Sequence, residues 1–335
     1  IALLGGCTST SVTEKYQDKR NDIINVKDKV IEFETGNVLI GSVSRLYMSN
    51  KCLLIADHKS VDKQIHIFNK NDFSYLTSIG NFGEGPEEIT VMGCLAIDEA
   101  HHQLYVSDHA KQKIFSYDMD SVMVDSLYKP QVKTAMNETL FPSEYQYIND
   151  TLSIAVLIKP TSTSTFNQFL GRWNMNTGEM IPMKYTHPDI QKKRITFAAS
   201  EKAGIYVECY TRHDLMTICS LDGELLYNIY GPDWDGGNGN KLQSFGTVMI
   251  GNDKIFVSYC GEDYARDSFP TKILVFDLEG NYLKTLETGY KISDCCYDSF
   301  NNRIILSLND VVQFAYLDID GICLLYTSPS PRDRG

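Results

Sequence analysis

No stretch of this chain approaches the ~18 consecutive apolar residues of a membrane-crossing helix, and almost nowhere do apolar residues recur at helical spacing. Basic charge is also scarce: 31 Lys and Arg stand against 43 Asp and Glu, a formal net charge of −12. Such a chain is a poor partner for nucleic acid or an anionic membrane face, where basic patches do the binding. Its 9 cysteines never occur as CxxC, which removes zinc and thioredoxin-type readings. No Gly-x-Ser-x-Gly elbow is present for an activated serine. What is present is ordinary globular composition, 43% apolar in 335 residues, with length enough for a large core.

The strongest positive signal is a repeat. Short β-rich runs recur as "LLIAD" from Leu53, "LYVSD" from Leu104, "LSIAV" from Leu152, "IYVEC" from Ile205, "IFVSY" from Ile255 and "IILSL" from Ile304. Their starts lie 51, 48, 53, 50 and 49 residues apart. Each run is preceded by a strand ("GCLAID", "FGTVMI", "ISDCCY") and followed by another ("IHIFN", "IFSYD", "LGRWN", "MTICS", "ILVFD", "VQFAY"). A polar turn such as "NKND", "LDGE" or "LEGN" then leads to a fourth ("YLTSI", "LLYNI", "YLKTL"). Turns of this kind between β-branched and aromatic runs are hairpin signals. Four antiparallel strands repeated six times predict an all-β, six-bladed β-propeller, a ring without open sheet edges. The sixth unit lacks its fourth strand, and "KVIEFET" (Lys29–Thr35) lacks a partner in the first. That N-terminal strand is therefore expected to complete blade six and close the ring.

The domain reading is 1–28 as signal remnant and tether, 29–323 as propeller, and 324–335 as a non-native or disordered tail ("LLYTSPSPRDRG") that breaks the strand pattern. "LLGGC" (Leu3–Cys7) resembles a bacterial lipobox, with Cys7 as the lipid attachment site, residues 1–6 removed, and a Ser/Thr-rich tether following. Of the other eight cysteines most sit in apolar runs and read as small buried hydrophobes. Cys209 and Cys219 are a pair that a hairpin could bring together, although spacing alone does not give the geometry.

The "IEFET" strand, "LLIAD…IHIF" and above all "IGNFGEGPEE" (Ile79–Glu88) resemble the six-bladed β-propeller lipoproteins abundant in anaerobic Gram-negative gut bacteria, NHL/TolB-like propellers. Glu87 stands where that family usually has the third glycine of its turn. The resemblance is strongest over residues 29–120. It implies architecture and a cell-envelope location, lipid-anchored and periplasm-facing at the outer membrane, and no assigned chemistry.

Several constellations invite sharper readings. "GNFGEGPEE" imitates a phosphate loop, but a strand follows instead of a helix, and Glu84, Glu87 and Glu88 would repel phosphate. It reads as an inter-blade crossover. "DWDGGNGN", with Asp233, Asp235, Asn238 and Asn240, departs from an EF-type loop in having Gly237, Asn238 and Ser244 at the decisive positions, so it reads as a turn. Asp57-His58, Asp108-His109 and His213-Asp214 recur at equivalent blade positions, where Asp57 and Asp108 are expected to accept turn N–H bonds. A calcium-dependent, channel-sited hydrolase would need several oxygen ligands, and the innermost strands offer chiefly Glu144 and Asp294.

No cofactor or metal is expected. The reading is a monomeric envelope binding or interaction module for a glycan, peptide or envelope protein, touching the membrane only through its anchor. A channel-sited hydrolase or lyase, or a scaffold in an envelope complex, is the alternative. The first-to-second and third-to-fourth strand turns read as short ("SNK", "GND", "LDG", "LEG"). The opposite face collects the long loops, from Lys159, Cys209, Gly231 and Cys260, and with them Tyr210, Arg212, His213, Trp234, Tyr264 and Arg266 as ligand-binding candidates over blades three to five.

Overall fold

The computed structural model describes residues 13–322 and 324, except 126, 138, 163–164, 191–192, 239–240 and 267. Six sheets succeed one another along the chain, at 44–81, 92–135, 141–182, 195–230, 242–287 and 292–318. Within each sheet, neighbours in sequence pair antiparallel. These are the blades, numbered one to six.

The second strand of every blade is buried on both faces, which is why it reads as a continuous apolar run instead of an alternating one. In blade one, Leu53 and Ile55 face the sixth blade's Ile305 and Phe314, while Leu54 and Ala56 face the second blade's Leu95 and Leu104. The core is therefore not one body but six apolar seams, each shared by two adjacent blades. Cys209 belongs to the seam with blade five and Cys219 to the seam with blade three. They point to opposite faces of blade four, pair across the hairpin with Met216 and Tyr206 respectively, and are free thiols.

Closure follows the expected route. β3 (Val30–Glu32), preceded in the chain by β1 (Glu14–Tyr16) and β2 (Ile23–Asn25), pairs antiparallel with Phe314–Asp318 as the fourth strand of blade six. Phe33 then inserts into the last seam, stacked on Phe73 at 3.9 Å and against Phe314 at 5.9 Å. Beside it a buried charge network joins Lys70 of blade one to Asp298 of blade six at 3.0 Å, with Arg303 on the same carboxylate at 3.3 Å.

Three features depart from the sequence reading. First, the stretch read as tether is built structure from Thr13 onward. β1 adds a fifth, parallel strand to blade four, and β2 does the same for blade five. Glu14 accepts from Asn228 and Tyr230, Tyr16 stacks on Tyr230 at 4.5 Å, and Arg20 reaches Asp214 at 2.7 Å in a buried ion pair. A polar sequence hides this because its strands hold by backbone bonds and a few anchors, not by an apolar stripe. Second, Leu324, placed at the start of the tail, is buried with Ile322 in the seam between blades five and six; 325–335 and the lipobox, including Cys7, lie outside the described residues. Third, one third-to-fourth connection is not short: in blade two it carries α1 (Met119–Val124), with Asp118 accepting the Ser121 N–H as its cap and Val122 buried in the seam with blade one.

Candidate functional site

The innermost strands surround a central channel with a cavity of about 1300 Å³. Arg45 of blade one crosses in front of blade two to meet Glu144 of blade three at 2.8 Å, and both side chains stay close to half exposed. Asp294 of blade six is used differently. Its carboxylate accepts from the Leu46 N–H and the Thr247 hydroxyl, each at 2.8 Å, and so ties blades one, five and six together. Burial raises the affinity of Asp294 for its proton, an effect these hydrogen bonds oppose. Glu144 and Asp294 are thus committed to separate partners.

Burial pushes the Cys94 thiol in the channel wall up to about 12, so it offers no thiolate at neutral pH. His58 and His109 are held below the ordinary imidazole value by burial and are neutral there. The His109 ring lies over Gly93, where an added Cβ would come within 2.1 Å of Nε2.

The mouth on the long-loop side is apolar and open. Val43, Phe82, Val91 and Phe269 line it and are all exposed by more than a third. On the same face, exposed Phe166 carries the guanidinium of Arg194 at 5.2 Å, and exposed Tyr264 carries that of Arg212 at 3.2 Å. These are cation–π stacks left facing water on loops held by a rigid ring.

The six residues predicted from sequence separate into two groups. Tyr210 and His213 are buried, and Trp234 is half-buried against them. His213 lies 6.3 Å from Tyr210 and 6.1 Å from Trp234, whose ring also meets His187 at 5.6 Å and Tyr230 at 5.0 Å. As candidates for a binding surface these three are corrected: the aromatics packed beside one another exclude water from the rim of blade four, next to the seam with blade three. Arg212 and Tyr264 do come together on the surface. Arg266 is exposed and pairs at 3.5 Å with Glu262, which is exposed too.

Sequence reasoning missed Phe82, Phe166, Arg194 and Phe269, as well as the Arg45–Glu144 bridge. Phe82 sits inside the glycine-rich loop itself. That loop is a crossover closed on its own acid: Glu88 accepts the Gly85 N–H at 2.8 Å, and a Cβ on Gly83, at φ +157°, would lie 2.0 Å from the same carboxylate. Lys111 donates to the carbonyls of Gly85 and Glu88. The backbone donor that a phosphate would want is already taken.

The repeated acid–histidine pairs act through their carboxylates. Asp57 accepts from the Gly41 and Lys59 N–H groups, and Asp108 from those of Thr90, Val91, Ala110 and Lys111. Asp214 accepts from Asp233 N–H as well as from Arg20. Each fastens the turn after a second strand to an inter-blade crossover. Among the described residues one trio, Asp98, His101 and Asp150, has ligand-type atoms within 4.8 Å of one another. Asp98 is engaged there by the Tyr105 hydroxyl and by both the N–H and ring of His101, as a cap on its turn.

Comparison with known proteins bears on the fold. Residues 9–167, a little under half of the chain, match the family DUF5128, described as a 6-bladed beta-propeller. No curated protein sequence matches the chain. Similar solved structures include a candidate exported protein from Bacteroides fragilis, at TM-score 0.57 and 13% identity over 88% of this chain and 87% of that one. A member of the duf4221 family from Bacteroides vulgatus aligns at TM-score 0.56 and 11% identity over 89% and 98% of the two chains. The β-propeller domain of Cps50 from Myceliophteria thermophila aligns at 0.55 and 10% over 87% and 99%. The family match and six successive sheets of four or five strands around one channel agree: this chain is a six-bladed β-propeller of the all-β class.

Proposed function

We propose that the protein is a lipid-anchored binding module of the cell envelope that takes a glycan or peptide at the long-loop mouth of its channel. One observation carries the reading. Aromatic and aliphatic side chains are left exposed around one mouth, Arg–aromatic stacks stand beside it, and a charged Arg45–Glu144 pair forms the floor. An apolar wall with a few convergent polar groups is the usual make-up of a ligand site. Aromatic faces and arginine are the usual anchors of peptide and sugar contacts. The envelope location rests on the lipobox resemblance at Cys7, in keeping with the description of the Bacteroides fragilis relative as exported.

The test sets the exposed group against the packed one. Phe82→Ala, Tyr264→Ala and Phe269→Ala are screened on glycan and peptide arrays beside the unaltered protein. Each should weaken the ligand found by about tenfold, the loss of roughly 1.4 kcal/mol, at unchanged melting temperature. Trp234→Ala should lower the melting temperature instead. Binding untouched by all three mouth variants would end the assignment of this face.

A further inference from the structure

We propose a second ligand site on the opposite face, a pocket between blades one and two that takes a small cationic amphiphile: an ammonium or guanidinium head on an apolar body. The pocket exists because blade two departs from the repeat. Where blades four and five turn from third to fourth strand in a few residues, blade two inserts α1. The helix lies beside the last strand of blade one and roofs a cavity of about 410 Å³. That volume suits one drug-sized molecule and is too small for a folded partner element.

The walls and the rim differ in chemistry. Leu54, Leu76, Ile97, Met119 and Met123 line the cavity, and Leu76 and Met123 are left exposed. Paired methionines make an adaptable apolar wall, because the unbranched thioether changes shape at little cost. Glu99 and Asp120 stand at the rim, both exposed. Glu99 uses one oxygen on the Asn50 N–H, and Asp120 uses one on the His102 ring, which leaves each carboxylate an oxygen to meet a cation. Among the described residues Lys51 is the one lysine or arginine in the lining, and the His102 ring is already held on Asp120. Two carboxylates against one ammonium, on a chain of net charge −12, favour a positive head group.

Isothermal titration of the full chain with octyltrimethylammonium, and in parallel with octanoate, reads the proposal directly. The cation should bind saturably at one site, with octanoate weaker by about tenfold. Combining Glu99→Gln with Asp120→Asn keeps the existing acceptors and should erase that preference. Met123→Trp fills the cavity from an exposed position and should abolish binding of both probes. Leu76→Trp repeats the test from the strand side should the helix variant lose stability. Phe269→Ala, on the other face, should leave the titration unchanged. Three results would each overturn the proposal: no saturable binding of the cation, equal affinity for octanoate, or binding that survives cavity filling in a folded variant.

Discussion

At the scale of single residues, the N-terminal segment depends on Arg20. Its guanidinium enters between blades four and five, within 6 Å of the Phe245, Tyr259 and Phe276 rings, and ends on a carboxylate with no exposed surface. Removing one partner of such a pair strands the other charge. Arg20→Met should therefore cost about 3–5 kcal/mol, whereas Arg20→Met with Asp214→Asn should recover part of the loss; chemical denaturation checks both. Asp298 supplies the pH dependence. Burial favours its protonated form, but hydrogen bonds from Asn301 and Lys70 and the charge of Lys70 outweigh this and hold its carboxyl below the usual value. A depressed folded pKa stabilises the ring above the unfolded carboxylate value of about 4, and that stability is lost as pH falls through the folded value. Asp298→Asn should lower stability at pH 7 and flatten the acid limb of the stability profile. A profile parallel to that of the unaltered protein would remove Asp298 from the closure.

At the scale of elements, closure depends on three short strands that a local reading undervalues. β3 supplies the fourth strand of blade six, while β1 and β2 cover the outer edges of blades four and five. A chain starting after Thr35 loses all three, together with Phe33, and exposes three sheet edges. A chain ending at Leu324 keeps every described strand and the buried Ile322 and Leu324 side chains. Thermal melts should place the first truncation well below the full chain and the second level with it. Equal melting points for the two would mean that the N-terminal strands do not hold the ring. Residues 29–35 were legible as a strand because their β-branched and aromatic residues alternate. Glu14–Tyr16 and Ile23–Asn25 were not, since three residues carry too little periodicity to distinguish strand from linker.

At the scale of the whole molecule, the ring presents two unlike faces, with β1 and β2 on the outer rims of blades four and five. The anchor proposed at Cys7 is tested separately from the ring. Cys7→Ser should turn an envelope-bound protein into a soluble one, measured by membrane fractionation. With the native cysteine, protease added to intact cells should leave the protein whole, as a periplasm-facing anchor requires. Its removal from intact cells would reverse the orientation.

The sequence by itself determined the repeat, the four-strand blade, the count of six and the closing strand. These follow from local alternation and turn chemistry recurring at one interval, and each blade writes its own copy. It also indicated the role of the Asp57 and Asp108 carboxylates, since an Asp after a second strand meets the same turn each time. The tertiary structure decided which aromatic residues face water. Trp234, Tyr210 and His213 look like Tyr264 in the sequence, but rings from residues 187 to 234 meet around the first three, while Tyr264 meets Arg212 in solvent. Only the packing of blades one to three around the channel brings Arg45 to Glu144, 99 positions apart in the chain. Burial and cross-channel contact are properties of the assembled blades, and no window along the chain contains them.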